Sequence, residues 1–174
     1  LHSLRRRQRQ MCIRDSVQAI AEELVFRAYP LKNLLESTTE EMAIITTALI
    51  FSLAHFANIG YNFFAFLTLA LAGLFLSLLY ARTMNFWLIA GFHISWNIAE
   101  GAIFGIPVSG YYTLESLYRT ELSGDPLLTG GSFGIEASII TLFIFCIFFL
   151  ICSVIVKPRN FTTEKEKFIL TSFT

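Results

Sequence analysis

Two adjacent carboxylates and an arginine stand in an otherwise apolar stretch, Ala21-Glu22-Glu23-Leu24-Val25-Phe26-Arg27-Ala28-Tyr29. Two imidazoles follow in equally apolar surroundings, His55 in Phe51-Ser52-Leu53-Ala54-His55 and His93 in His93-Ile94-Ser95-Trp96-Asn97. A carboxylate can take a proton from water, and an imidazole or carboxamide can steady the charge that forms on an attacked carbonyl oxygen, so these are the residue types of a hydrolase. On a helix of about 3.6 residues per turn, Glu23 and Arg27 share a face and can pair, whereas Glu22 points about 100° away and is left free for chemistry. His93 and Asn97 are likewise one turn apart on one face.

These groups are expensive where they stand. An ionisable side chain near the middle of a bilayer costs about 2.5 to 3.5 kcal/mol, so three within six residues imply pairing or function. The surroundings are those of a membrane: of 174 residues 55% are apolar, 15% are aromatic and 18 are Phe, with a mean hydropathy of +0.61. At about 20 residues per span there is room for four or five spans and no separate soluble domain. The expected fold is all-α, a polytopic transmembrane helix bundle.

Taken singly, each polar residue has a plainer reading. A lone intramembrane histidine serves packing through a hydrogen bond more often than catalysis, and Glu23 with Arg27 could be a structural ion pair. Their coincidence at four-residue spacings on three helices points instead to one converging, water-filled pocket.

The elements that must position them can be read in chain order. A motif helix is expected over residues 16–35, with Pro30 kinking or ending it. Residues 42–56 form a short span, 57–62 a turn containing Gly60, and 63–80 the cleanest span, where Ala70, Ala72 and Gly73 allow close helix contact. Residues 86–104 carry His93, Asn97 and a further acid, Glu100, to which no role is assigned. The connection 105–134 is rich in Gly and Pro, and its middle, 114–122, could form an amphipathic surface helix. A last span is expected over 135–156, nearly all Ile, Leu and Phe, stopped by Lys157-Pro158-Arg159. The organisation is thus a leader (1–16), a membrane-embedded bundle (17–156) and a polar tail (157–174).

The leader stands apart. Arg5, Arg6, Arg7, Arg9 and Arg14 concentrate positive charge there, although the whole chain balances 13 basic against 13 acidic residues. It shows no apolar periodicity and resembles translated adapter sequence, and on that reading the chain is expected to be an N-terminally truncated fragment; the plainer reading is a basic arm on anionic lipid. The cysteines form no disulfide framework, and Cys146 and Cys152 read as small hydrophobes. There is no nucleic-acid signature.

In order and separation, Glu22-Glu23-xxx-Arg27, Phe51-xxx-His55 and His93-xxx-Asn97 resemble the three motifs of the CAAX-processing intramembrane endopeptidases and their bacterial relatives, the CAAX amino-terminal or bacteriocin-processing proteases. The resemblance implies that Glu22 is the general base, polarising a water with help from His55. It also implies that His93 and Asn97 donate to the developing oxyanion, and that Glu23 and Arg27 hold the first helix in register. One such donor is typically worth about 10²- to 10³-fold in rate. Its implied partners are a peptide or protein substrate, possibly lipidated, and membrane lipid, with a multi-pass location in a bacterial inner membrane.

No cofactor is expected, but zinc is the internal rival, because Glu22, His55 and His93 have the two-His, one-Glu composition of a catalytic zinc site. Against it, there is no His-Glu-xx-His helix and Arg27 would oppose a cation. Outside catalysis, the same fold could serve as an immunity or scaffold protein, and intramembrane acids with histidines also make proton relays in transporters.

Overall fold

The computed structural model describes residues 2–112 and 116–158. Its main elements are helices: α1 (His2–Glu23), α2 (Lys32–Ser37), α3 (Glu40–Ala54), α4 (Phe63–Thr83), α5 (Phe86–Asn97), α6 (Pro126–Thr129) and α7 (Ile139–Ile155). Two wide π-helical stretches, Leu24–Leu31 and Ile98–Phe104, prolong α1 and α5. Among the described residues the single β feature is an isolated bridge between Val108 and Tyr111. The all-α expectation holds.

The number of spans does not follow as simply. Among the described residues one helix, α4, is long and apolar enough to cross a membrane, and α7 is a shorter apolar helix. Helix α3, at 15 residues, is as short as the span expected there, and the span expected over 86–104 is divided between α5 and the π stretch.

The helix starts have local causes. Thr39, Asn62, Asn85 and Ser138 precede α3, α4, α5 and α7, and each side-chain oxygen accepts an N–H of the first turn, which satisfies donors that have no partner inside the helix. Helix α1 begins at His2 rather than near Ser16. No Gly or Pro interrupts the leader, whose Arg, Gln, Leu and Met favour helix.

Pro30 does not end the motif helix. It sits in the wide turn Leu24–Leu31, where the π geometry absorbs the missing N–H and the ring that a regular α-helix would reject. The second π stretch ends on Gly105, at φ 68°, and its freed carbonyls are taken from outside: Leu117 N–H donates to Ala102 (2.8 Å) and Tyr118 N–H to Ile103 (2.8 Å). The amphipathic helix expected at 114–122 is therefore absent among its described residues, 116–122, whose backbone is spent on these bonds. Most of the polar tail lies outside the described residues.

Helix α4 is central, packed against α3 on one side and α7 on the other, while α1 packs on α5. A Cβ at Gly73 would stand 2.9 Å from the Cα of Ala48, so the absent side chain is what lets α3 and α4 approach. Phe75, Phe92, Trp96, Phe145 and Phe148 interleave edge-to-face or tilted between α4, α5 and α7, the geometry that aromatic quadrupoles favour. Arg82, at the end of α4, donates to the carbonyls of Ser153 and Val156 and closes the C-terminus of α7.

Candidate active site

The first π stretch follows directly on Glu22 and Glu23, and Arg27 lies within it. Glu23 and Arg27 form the expected pair, Nη1 to Oε1 at 3.1 Å, with both side chains fully buried. Arg27 also stacks over Phe51, its guanidinium carbon 4.1 Å from the ring centroid, and its Nε reaches Ser77 Oγ on α4 at 3.5 Å. Ser77 in turn bonds Thr47 of α3 at 3.2 Å. This chain of contacts fixes the motif helix against α3 and α4.

Glu22 is placed differently, with 18% of its side chain exposed. Gln18, one turn back, donates to its Oε1 at 3.0 Å. Its Oε2 faces both imidazoles, 3.9 Å from His55 Nε2 and 3.7 Å from His93 Nε2. His55 arrives as the C-cap of α3 and His93 from the middle of α5, so three separate elements meet at one carboxylate oxygen.

The other ring nitrogens define what those Nε2 atoms can do. His55 Nδ1 lies 2.8 Å from the Phe51 carbonyl; a carbonyl only accepts, so Nδ1 carries the hydrogen and the neutral ring presents a lone pair at Nε2. His93 Nδ1 lies 2.8 Å from Glu23 Oε1, so it too carries its hydrogen on Nδ1. For His93 to donate from Nε2 as well, the ring must be an imidazolium, and Glu23 supplies the counter-charge that this form requires. The Glu23–Arg27 pair is thus more than a clamp on the helix, because its carboxylate also orients His93.

Asn97, the last residue of α5, is buried at 5% exposure one turn beyond His93. No hydrogen bond among the described residues ties it to the other five. Ser95 bonds back to Gly91 at 2.7 Å, as expected of a helical hydroxyl. Ser52 instead bonds across to the Phe66 carbonyl of α4 at 2.8 Å.

A cavity of about 30 Å³ lies against the two imidazoles, with Phe51, Leu69, Phe92 and Phe145 among its walls and Ser109 and Glu136 at its polar end. Glu136 is the residue that sequence reasoning passed over, within a span described as nearly all Ile, Leu and Phe. It is 6% exposed, accepts from the backbone N–H and the hydroxyl of Ser109, and lies within electrostatic reach of His55 and His93. An acid just before a long apolar run was the available signal. Ser109 is held by a two-residue turn with positive φ at Ser109 and Gly110, and Asn58 Nδ2 donates to its carbonyl at 2.9 Å. Among the described residues, no three His, Cys, Asp or Glu side chains are arranged to hold a metal ion.

The helical scaffold gathers a largely shielded carboxylate and two imidazoles beside a water-sized cavity, residue types that can polarise a water. Residues 14–99 match the Rce1-like family, described as type II CAAX prenyl endopeptidase Rce1-like. The match agrees with the recognition drawn from the three motifs, and the matched stretch contains all six motif residues. No curated protein and no solved structure matches the chain.

Proposed function

We propose that the protein is a membrane-embedded endopeptidase in which Glu22 activates the attacking water. The observation that carries this reading is the convergence of His55 Nε2 and His93 Nε2 on Glu22 Oε2, at 3.9 and 3.7 Å. Both separations exceed a direct hydrogen bond, and the first joins two acceptors, a pair that one water with two hydrogens can bridge.

In this mechanism the water between Glu22 and His55 gives one proton to Glu22 as its oxygen attacks the scissile carbonyl. The charge that moves onto the carbonyl oxygen is met by the Nε2–H of a protonated His93 and by the Asn97 carboxamide. Glu22 then passes its proton to the departing amine nitrogen as the C–N bond breaks, which leaves the base ready for the next turnover. Glu23 and Arg27 hold His93 and the motif helix in place and take no part in proton transfer.

The membrane setting is supported by an inverted surface. The bundle buries Glu23, Arg27, Glu100 and Glu136 while the outer faces of α3 and α7 expose Ile45, Leu49, Leu53, Phe143, Ile147 and Val154. A water-soluble bundle would hide such faces. With α4 as one span, α3, α5 and α7 complete a multi-pass bundle, which places a peptide substrate at or within the bilayer.

The test is peptide-bond cleavage by detergent-solubilised protein, comparing wild type, Glu22→Gln and a chelator-treated sample. The mechanism predicts that Glu22→Gln loses at least about 10²-fold in rate while chelator leaves cleavage intact. Retained cleavage in the variant would overturn the role of Glu22, and loss with chelator would transfer the same three side chains to a zinc site.

A further inference from the structure

Beyond the imidazoles the buried polar groups continue. Glu100, in the second π stretch, is 3% exposed, and neither of its carboxylate oxygens has a hydrogen-bond partner. The Trp96 indole N–H lies beside that carboxylate without closing a hydrogen bond to it, and is itself buried and unpartnered. Glu136 is near enough for its charge to act on Glu100, and Trp96, Ser109 and Glu136 all line the cavity that reaches His55 and His93.

An unsatisfied buried polar group costs about 1 to 3 kcal/mol, and three such atoms side by side require a shared partner. The indole only donates, whereas a carboxyl accepts and, when protonated, also donates. A cation would suit an ionised carboxyl and not the indole; an anion would suit the indole and be repelled by an ionised carboxyl. Water both accepts and donates. One water needs about 10 to 15 Å³ and two to four polar partners, so the cavity of about 30 Å³ has room for about two. Its apolar walls, Leu69, Ala72, Leu76 and Phe145, confine the water to the polar end.

We propose that this chamber, lined by Glu136, Ser109 and Trp96 with Glu100 beside the Trp96 indole, is a water-binding site that stores the hydrolytic water and delivers it to the Glu22–His55 bridge. Delivery rests on the protease reading, whereas the water site does not. Glu100 and Glu136 are positioning residues here, acting on the reaction through the water they hold. None of the four except Trp96 lies within the stretch that matches the family.

The experiment reads water directly at Trp96. The chain has two tryptophans, so indole N–H signals of ¹⁵N-labelled protein in detergent micelles are assigned with Trp87→Phe. Trp87, 72% exposed, is the internal reference for outside solvent. A cross-peak between water and the buried Trp96 indole N–H is expected in the wild type and is lost in Glu100→Leu. In parallel, Glu100→Leu is expected to unfold no earlier than wild type, since it replaces a buried, unpartnered carboxyl by an apolar group of similar size. Its kcat for cleavage falls with KM unchanged, and Glu100→Gln, which can still bond water, restores part of the rate.

A wild-type Trp96 signal without a water cross-peak overturns the site, as does a cross-peak that survives Glu100→Leu. A folded Glu100→Leu with wild-type kcat overturns the delivery role. Should Glu100→Leu fail to fold, Trp96→Phe, which removes the donor and keeps an aromatic ring against Phe145, is held to the same kcat and KM expectation. A water cross-peak in a wild-type protein that cleaves nothing would confirm the site and sink the protease reading.

Discussion

At the residue scale, Glu22 and Glu23 are neighbours in sequence with opposite duties. Glu23 is sealed between Arg27 Nη1 and His93 Nδ1, at 3.1 and 2.8 Å, whereas Glu22 retains access to solvent and faces two imidazole nitrogens. Their amide substitutions should separate cleanly. Glu23→Gln leaves Arg27 as a buried charge without its counter-ion, a change that costs about 3 to 5 kcal/mol. Glu22→Gln, on a partly exposed side chain, should cost less than about 1 kcal/mol while abolishing cleavage. Reversible denaturation in detergent, run on both variants, checks the difference; equal destabilisation would mean that the two carboxylates share one structural role.

The periodicity of the motifs made the Glu23–Arg27 pair legible, because it follows from helical rotation alone; Glu22, expected to be free within its own helix, instead accepts from Gln18 one turn back. His93 was legible as a site residue but not in its partner. A hydrogen bond from its ring to Glu23 joins positions 70 apart, and no local rule couples them. Glu136 was hidden for the same reason: its partner is Ser109, 27 residues away, and within its own segment it reads as one acid at the edge of an apolar run.

At the element scale, the two π-helical stretches do related work. Each begins next to motif residues, after Glu22–Glu23 and after Asn97, and each carries a buried charged group, Arg27 in the first and Glu100 in the second. A wide turn rotates the residues after it relative to a regular helix, while Arg27, early in its stretch, still meets Glu23 one turn back. The α3–α4 contact is the other element on which the site depends, because α3 delivers His55 and Phe51.

Gly73→Ala should force these helices apart, since its Cβ would meet Ala48 backbone at 2.9 Å, with a cost of about 1 to 3 kcal/mol. Gly91, in α5, has nothing within 4 Å of its Cβ position. Gly91→Ala should be neutral or stabilising by about 0.5 to 1 kcal/mol. Thermal unfolding of the two variants beside wild type decides it, and a Gly73→Ala protein as stable as Gly91→Ala would show that the contact relaxes freely.

At the scale of the whole molecule, the loops between helices are as much a part of the site as the helices. The turn at Ser109–Gly110 lies against the loop after α3: a Cβ on Gly110 would meet the Ile59 carbonyl oxygen at 2.3 Å, and Gly110 N–H donates to the Phe133 carbonyl at 2.8 Å. Three connections are thereby locked around the chamber. Gly110→Ala, at a φ of 87°, should cost about 1 to 2 kcal/mol from the backbone alone. It should also lower the cleavage rate by displacing Ser109 and its hold on Glu136, although no motif residue is touched. Unfolding midpoint and rate measured on one preparation test this; a stability loss with an unchanged rate would free the turn from any part in catalysis.

The sequence by itself determined the helical class, the spacing of the three motifs and the Glu23–Arg27 pair, because hydrophobic patterning and helical spacing are local properties. It also settled the family resemblance, which the match over residues 14–99 bears out. Only the tertiary structure decided which imidazole nitrogens face Glu22, that Pro30 is absorbed in a π turn, and that Glu100, Trp96, Ser109 and Glu136 gather behind the imidazoles. Those facts depend on contacts between segments tens of residues apart, where burial and hydrogen bonding are settled by how helices pack and not by the residues adjacent in the chain.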